Sequence, residues 1–432
     1  MRILVIGSGG REHAIVRQLV EHKHTVYAVP GNPGIHALCE RLSPDQESIP
    51  ISDVEGLSTL ASDLKVDLTV VGPEQPLSLG IVDHFESKQL RIFGPTKEAA
   101  QLESSKVFSK QFMKKYKIPT ATFYVGNHEE EARSAAEDIL ALPGSLGVVV
   151  KPDGLTAGKG VTVCKDIHEA YEAIRAMLGE GAYGESGRRV IVEQRLDGQE
   201  LSVLAFGDGK TFIPMLPSQD HKQLGEGDQG MNTGGMGAYA PTPFVSADLM
   251  EKIQKEMIER TLLGLQSEGI VYKGVLYFGV MLSSQGPKLL EYNCRFGDPE
   301  AQVILPLLES DLAEIMLACI EGSLEKTLPQ WSQKSACCVV LASMGYPKSY
   351  PTGKPIHGLQ DLEKKTEAFA YHAGTGLGED KSIVTKGGRV LGITALGETL
   401  EESIGKAYDG VEALDFEGVY YRSDIGKKGC IS

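Results

Sequence analysis

The chain has no uninterrupted apolar run long enough to span a bilayer. It also has no surplus of positive charge: 43 Lys and Arg stand against 58 Asp and Glu, a formal charge of −15. Affinity for phosphate backbones and anionic lipid surfaces comes from basic excess, so neither nucleic acid nor membrane is an expected partner, although a local basic pocket is compatible with this balance. Cysteine pairing is missing as a pattern. The seven cysteines (Cys39, Cys164, Cys294, Cys319, Cys337, Cys338 and Cys430) include no C-x-x-C, and Cys337 and Cys338 sit inside the apolar run ACCVVLA. Buried, reduced thiols are expected, not zinc ligands or a thiol nucleophile. There is no repeat of fixed period and no low-complexity segment. The opening MRILVIGSGGREH carries no signal-type cleavage site and reads as a mature cytoplasmic start. What remains is an ordinary globular composition, 41% hydrophobic and 23% charged, over 432 residues, a length that predicts about three domains.

The first stretch alternates strand and helix: RILVIG, EHAIVRQLVEH, TVYAV, then DLTVVG and RIFG as further short apolar runs. This βαβ alternation predicts a doubly wound parallel sheet over 1–103. A basic amphipathic helix is expected over 104–120, stopped by Pro119. Over 121–195, helices surround GVVVKPDGLTAGKGVTVC and VIVEQRL, the pattern of a small α+β lid. Over 196–328 the strands LSVLAF, VLYFGVML and KLLEYN form a catalytic core, interrupted by a glycine-rich loop between Gly225 and Gly237. The tail, 329–432, has its own strands and a helix and reads as a small C-terminal α/β domain.

Three motifs carry chemistry. Gly7-Ser8-Gly9-Gly10-Arg11-Glu12 follows a strand and opens a helix, where backbone N–H groups can meet an anion. A dinucleotide fingerprint wants a third glycine where Glu12 stands and an acid after the second strand, where Pro30-Gly31-Asn32-Pro33-Gly34 occurs. A phosphate monoester site or a plain tight turn therefore fits better than a nicotinamide site. Lys151-Pro152-Asp153-Gly154-Leu155-Thr156-Ala157-Gly158-Lys159-Gly160 is one residue short of a Walker loop and lies between two strands. It reads as a mobile hairpin over nucleotide phosphates, or as a flexible surface hairpin. Glu291, Asn293 and Arg295 alternate along KLLEYNCRF, so all three face one way, with Cys294 opposite. Carboxylate and amide oxygens suit Mg²⁺, and Arg295 offers a planar cation.

Lys106, Lys151, the hairpin, Glu193 to Glu200 and Glu291-x-Asn293, in this order, resemble an ATP-grasp ligase. VIGSGGREHAI, PGNPG, VGPEQPLSLGIVD, SQDHKQLGEGDQGMNTGGMGAYAP and RFGDPE together resemble the phosphoribosylamine–glycine ligases, the glycinamide ribonucleotide synthetases of purine biosynthesis. YHAGT, GGRVLGITALG and YRSDIG carry the resemblance to the C-terminal end. The resemblance implies an N-terminal doubly wound domain, a mobile lid, an ATP-grasp core and a small C-terminal domain. It also implies ATP-dependent joining of glycine to 5-phosphoribosylamine, with Mg²⁺ or Mn²⁺ as cofactor. Residue by residue, it places Lys106 and Lys151 on ATP phosphates under Gly154, Gly158, Lys159 and Gly160. Glu193, Arg195 and Leu196 would lie beside adenine, Glu200 on the ribose, and Glu291 and Asn293 on the metal. Gly9, Gly10, Arg11, Glu12, Arg295 and Gly297 would lie on the phosphoribosylamine side. Apart from the resemblance, the polar neighbours of Asp220 make it a candidate contact for the substrate amine. Lys151 and Arg295 are the catalytic candidates. Gln194-Arg195 departs from the family's usual acid followed by an apolar residue.

The inventory suits this chemistry. A carboxylate must be activated before an amine attacks it, and phosphoryl transfer needs charge neutralisation more than a protein nucleophile. The alternatives are another ATP-grasp ligase or carboxylase and, from a different class, a nicotinamide-dependent dehydrogenase. A monomeric, single-activity cytoplasmic enzyme acting on small molecules is expected.

Overall fold

The computed structural model describes residues 1–156, 160–179 and 184–430. Strands Arg2–Gly7, Thr25–Pro30, Leu68–Val71 and Ile92–Phe93 make a parallel sheet in the order second, first, third, fourth. Ile3 and Val5 face one core while Leu4 and Ile6 face another, which is why the strand is apolar throughout. The chain changes winding direction between the first and third strands, so a crevice opens beyond their carboxyl ends. Arg11 and Glu74 rise from the two turns that border it.

The basic helix is shorter than expected, Lys106–Lys115, because Lys117 turns left-handed (φ 55°) ahead of Pro119. Ser105 caps it by accepting the Phe108 N–H (3.1 Å), and Asp153 from the lid accepts the Val107 N–H (2.8 Å). The lid is an antiparallel sheet of Phe123–Gly126, Val148–Pro152, Thr162–Cys164 and Val190–Gln194, backed by helices Glu129–Leu140 and Ile167–Ile174 around its own core. Gly158 and Lys159, at the tip of the expected mobile hairpin, lie outside the described residues.

The core sheet joins Gln199–Asp208, Phe212–Pro214, Lys273–Ser283 and Gly286–Asn293, all antiparallel. Leu201, Val203 and Ala205 pack under Phe112 and Met113 of the Lys106–Lys115 helix. Leu204 and Phe206 turn the other way, onto the Leu312–Glu321 helix. Period-two alternation thus gives this sheet two buried faces, one of which carries Ser202 into the cavity described below.

The tail is less self-contained than its sequence suggests. Strands Ser335–Ser343, Ala368–His372 and Arg389–Gly397 pack on helix Leu400–Glu412. The sheet is then extended by Gln219–Asp220 and Gly237–Ala240, which flank the loop expected between Gly225 and Gly237. Between them, Gln223–Gly225 pairs with Gln229–Asn232 as a small hairpin.

Arg422, fully buried, fastens that hairpin to the tail. It donates to the Gln223 carbonyl (3.0 Å), to Asp228 (3.0 Å) and twice to Asp424 (2.7 Å each). Arg422→Met is expected to lower stability by about 2 kcal/mol, below the usual loss for a broken buried pair because Asp228 and Asp424 keep some contact with water. Urea denaturation measures this, and an unchanged midpoint would show that the latch is idle.

Candidate active site

One cavity of about 480 Å³ lies between the lid, the core sheet, the N-terminal crevice and the tail. Among the described residues, seven cations (Arg11, Lys106, Lys110, Lys151, Lys222, Arg295, Arg389) and seven carboxylates (Glu74, Glu103, Glu200, Asp220, Glu291, Asp298, Glu300) line it. The described lining is therefore balanced, in a chain of net −15.

At the lid end, Lys106 Nζ donates to the Gly154 carbonyl (3.0 Å). Lys151 pairs with Glu193, whose other oxygen lies 2.7 Å from Lys110 Nζ. Burial works against the Glu193 carboxylate, but the two ammonium groups outweigh it and pull its pKa down to about 2. Glu193 thus holds two lysines at the cavity wall without lining it itself. Arg195 and Leu196 form the passage from lid to core sheet, where the Arg195 N–H donates to Gly147 O (3.0 Å), and they also stand off the wall. Gly154 and Gly160 do the same, although Leu155, Thr156 and Val161 next to them reach the wall.

Glu291 and Asn293 end the core sheet's last strand. Arg295 lies two residues past the strand's end instead of on it, yet it still enters the cavity beside them. Cys294 points away into the core, its Sγ 3.8 Å from Ala99 O, and burial pushes its thiol pKa up. Among the described residues, no side chain is hydrogen-bonded or ion-paired to Glu291. Burial would raise its pKa, but Lys222, Lys151, Lys106 and Arg295 together lower it, so it stands as a free anion. Among the described residues, Asn293 Oδ1 accepts only a long bond from Arg295 (3.4 Å). No cluster of three or more His, Cys, Asp or Glu side chains suited to a metal occurs among the described residues. Two protein oxygens fit a divalent cation that keeps water and shares phosphate oxygens.

Arg295 is the hub of the far end. Its Nη2 lies 3.2 Å from Glu103 Oε1, its Nε 3.4 Å from Glu74 Oε2, and its Nη1 donates to Phe296 O (3.1 Å). Glu103 Oε2 accepts the Cys294 N–H (2.6 Å), tying the strand's end to the interdomain junction. Burial raises the Glu103 pKa despite Arg295. From the tail, Arg389 donates to Asp298 Oδ2 (2.8 Å) and to the Asp298 and Gly234 carbonyls.

The glycine turn behaves differently from expectation. Glu12 Oε2 accepts the Gly9 N–H (2.6 Å), and Glu12 Oε1 pairs with Arg11 Nε (2.6 Å). A Cβ on Gly7 or Gly72 would lie within 2.5 Å of the Glu12 side chain. These glycines make room for the chain's own carboxylate, so only Arg11 of the group Gly9, Gly10, Arg11 and Glu12 lines the cavity. Gly10 packs on Gln302, and Gly297 leaves space for Glu300. Lys110, Glu103, Lys222 and Arg389 were not singled out from the sequence. Lys110 could have been, four residues after Lys106 on the same helix face.

A lid sheet over an antiparallel core sheet, with a lid lysine and the core strand's Glu291 and Asn293 on one cavity, is the architecture of the ATP-grasp class, whose members take ATP and a divalent metal. Family models for phosphoribosylglycinamide synthetase match most of the chain: the N domain over 1–103, the ATP-grasp (A) domain over 104–301 and the C domain over 336–428. The phosphoribosylamine–glycine ligase of Caldanaerobacter subterraneus is 46% identical, covering 98% of this chain and 99% of that protein. The human trifunctional purine biosynthetic protein adenosine-3 is 48% identical over 98% of this chain, which spans 42% of it. A crystal structure of the Thermotoga maritima phosphoribosylamine–glycine ligase superposes with a TM-score of 0.80 at 35% identity, covering 98% of this chain and all of that one. The chain belongs to the phosphoribosylglycinamide synthetase family.

Proposed function

We propose that this cavity joins glycine to 5-phosphoribosylamine at the expense of ATP, giving glycinamide ribonucleotide, ADP and phosphate. The observation that carries the reading is the convergence of Lys106, Lys151 and the uncommitted Glu291 with Arg11 and Arg295 in one cavity. Lys106 and Lys151 bind the ATP phosphates, and Leu155, Ile191 and Leu201 offer apolar wall near them. Glu291 and Asn293 would hold Mg²⁺ or Mn²⁺, which supplies charge neutralisation on the phosphates. Arg295 faces the glycine carboxylate and steadies negative charge as the phosphoryl group arrives. Arg11 and Glu74, at the crevice of the parallel sheet, are placed for the ribosyl phosphate and its hydroxyls. Closure of the lid keeps water from the activated glycine. We read the protein as a cytoplasmic enzyme of small molecules that works as a monomer.

A dehydrogenase has no comparable support, because Glu12 already occupies the Gly9 N–H where a pyrophosphate would bind. Cys294 is turned away from the cavity, and phosphoryl transfer to a carboxylate calls for charge neutralisation more than a covalent enzyme intermediate, so activation passes through glycyl phosphate. Glycine labelled with heavy oxygen in its carboxylate should then deliver one labelled atom to inorganic phosphate per turnover. Phosphate free of label would rule out the acyl phosphate. ADP release should also require glycine, and omission of each substrate in turn checks this.

A further inference from the structure

Asp220 sits on the two-residue strand Gln219–Asp220, its side chain only 5% exposed and on the cavity wall. Among the described residues its Oδ1 has no hydrogen-bond partner. Leaving a buried carboxylate oxygen unpaired costs free energy, so the position needs a reason. Crowding does not supply one. Gly235 (φ 109°) makes the room: a Cβ there would come within 2.6 Å of Asp220 Oδ1 and 2.5 Å of Pro299, so the carboxylate packs directly against a glycine that offers it no hydrogen bond. The neighbouring turn carries Glu300, itself 3% exposed, whose Oε1 accepts the Ser202 hydroxyl (3.0 Å).

Two cations are near, and neither is committed to Asp220. Lys222 Nζ is 3.9 Å from Asp220 Oδ2 and 4.0 Å from Glu200, a shared position without a hydrogen bond. Arg389 spends its donors on Asp298 and Gly234. The Tyr277 hydroxyl, which also faces the group, bonds Ser202. Burial and the Glu300 charge together raise the Asp220 pKa well above the ordinary carboxylate range. A carboxylate whose pKa is raised is, once ionised, a stronger proton acceptor than an ordinary one.

We propose that Asp220, with Glu300 beside it, is the base that takes the proton released when the phosphoribosylamine nitrogen attacks activated glycine. The assignment rests on the ligase reading above and deepens it. The nitrogen lone pair forms the bond to the glycyl carbon. The carbon–oxygen bond to phosphate breaks, its electron pair leaving with phosphate. The N–H proton passes to the Asp220 carboxylate, which returns it to water as product departs. Activation of glycine by ATP makes no use of this proton, so the two half-reactions separate.

The test uses hydroxylamine, a weakly basic nucleophile that sheds its proton without help, in place of phosphoribosylamine. Asp220→Asn should lower ribonucleotide formation about 100-fold while glycine hydroxamate formation with ATP stays within about threefold of the parent enzyme. Parallel loss of both would overturn the proposal, showing that Asp220 serves glycine binding or the fold. Retention of both would overturn it equally. Glu300→Gln removes the like charge, lowers the Asp220 pKa and should move the acid limb of the pH–rate profile to lower pH; an unmoved limb counts against the pair. If the unaltered enzyme makes no hydroxamate from glycine and ATP, the ligase reading itself fails.

Discussion

Glu291→Gln is expected to fold normally and to lose at least about 100-fold in turnover, some 2.7 kcal/mol of transition-state stabilisation. The substitution keeps the side chain's shape and removes only its charge. Little structural support is lost with it, since among the described residues nothing hydrogen-bonds to the Glu291 carboxylate. The electrostatic loss is large by contrast. Lys222, Lys151, Lys106 and Arg295 all act on this carboxylate, and without it the cavity's balance shifts toward positive charge. A divalent cation then meets four repelling groups and one amide oxygen, that of Asn293. Activity measured against Mg²⁺ concentration should show the midpoint moved upward, while the urea midpoint stays close to the parent value. Near-parent turnover at low Mg²⁺ would remove Glu291 from the metal site.

Much of this site was legible in the sequence because local periodicity set it. Glu291, Asn293 and the opposed Cys294 follow from strand alternation alone, and Arg295 keeps its face although the strand has ended. The four apolar runs of the N-terminal unit became its parallel sheet for the same reason. What was not legible depends on pairing across long sequence separations. Glu103 accepts the Cys294 N–H from 191 residues away, and Arg389 reaches Asp298 across 91. No local pattern encodes either contact. The strands either side of the glycine-rich loop were hidden for a related reason: Gln219–Asp220 and Gly237–Ala240 are too short to read as strands until the tail's sheet offers them an edge. The first glycine turn is ambiguous in principle. The same spacing admits an external anion or the chain's own Glu12, and only the fold decides between them.

The second large effect is expected at Arg295, where charge alone should not rescue function. Arg295→Lys keeps the cation, but one ammonium group cannot reach Glu74, Glu103 and the Asn293 amide oxygen together as the guanidinium does. Turnover should fall at least about 100-fold, again near 2.7 kcal/mol, with the KM for ATP little changed because the nucleotide lysines are untouched. Arg295→Met should add a loss of about 3–5 kcal/mol in stability, since Glu103 is then left buried without its cation. The pairing can be isolated by a double-variant cycle. Adding Glu103→Gln to Arg295→Met removes the stranded charge, so the pair of changes should destabilise less than their separate effects predict. Urea midpoints of the four proteins measure that coupling, and kcat for the Lys variant measures the catalytic part. Additive destabilisation would mean that Glu103 does not depend on Arg295 for its charge. Arg295→Lys working within about fivefold of the parent would mean that a point charge suffices, and the planar contact to Glu103 and Glu74 would then serve the fold and not the reaction.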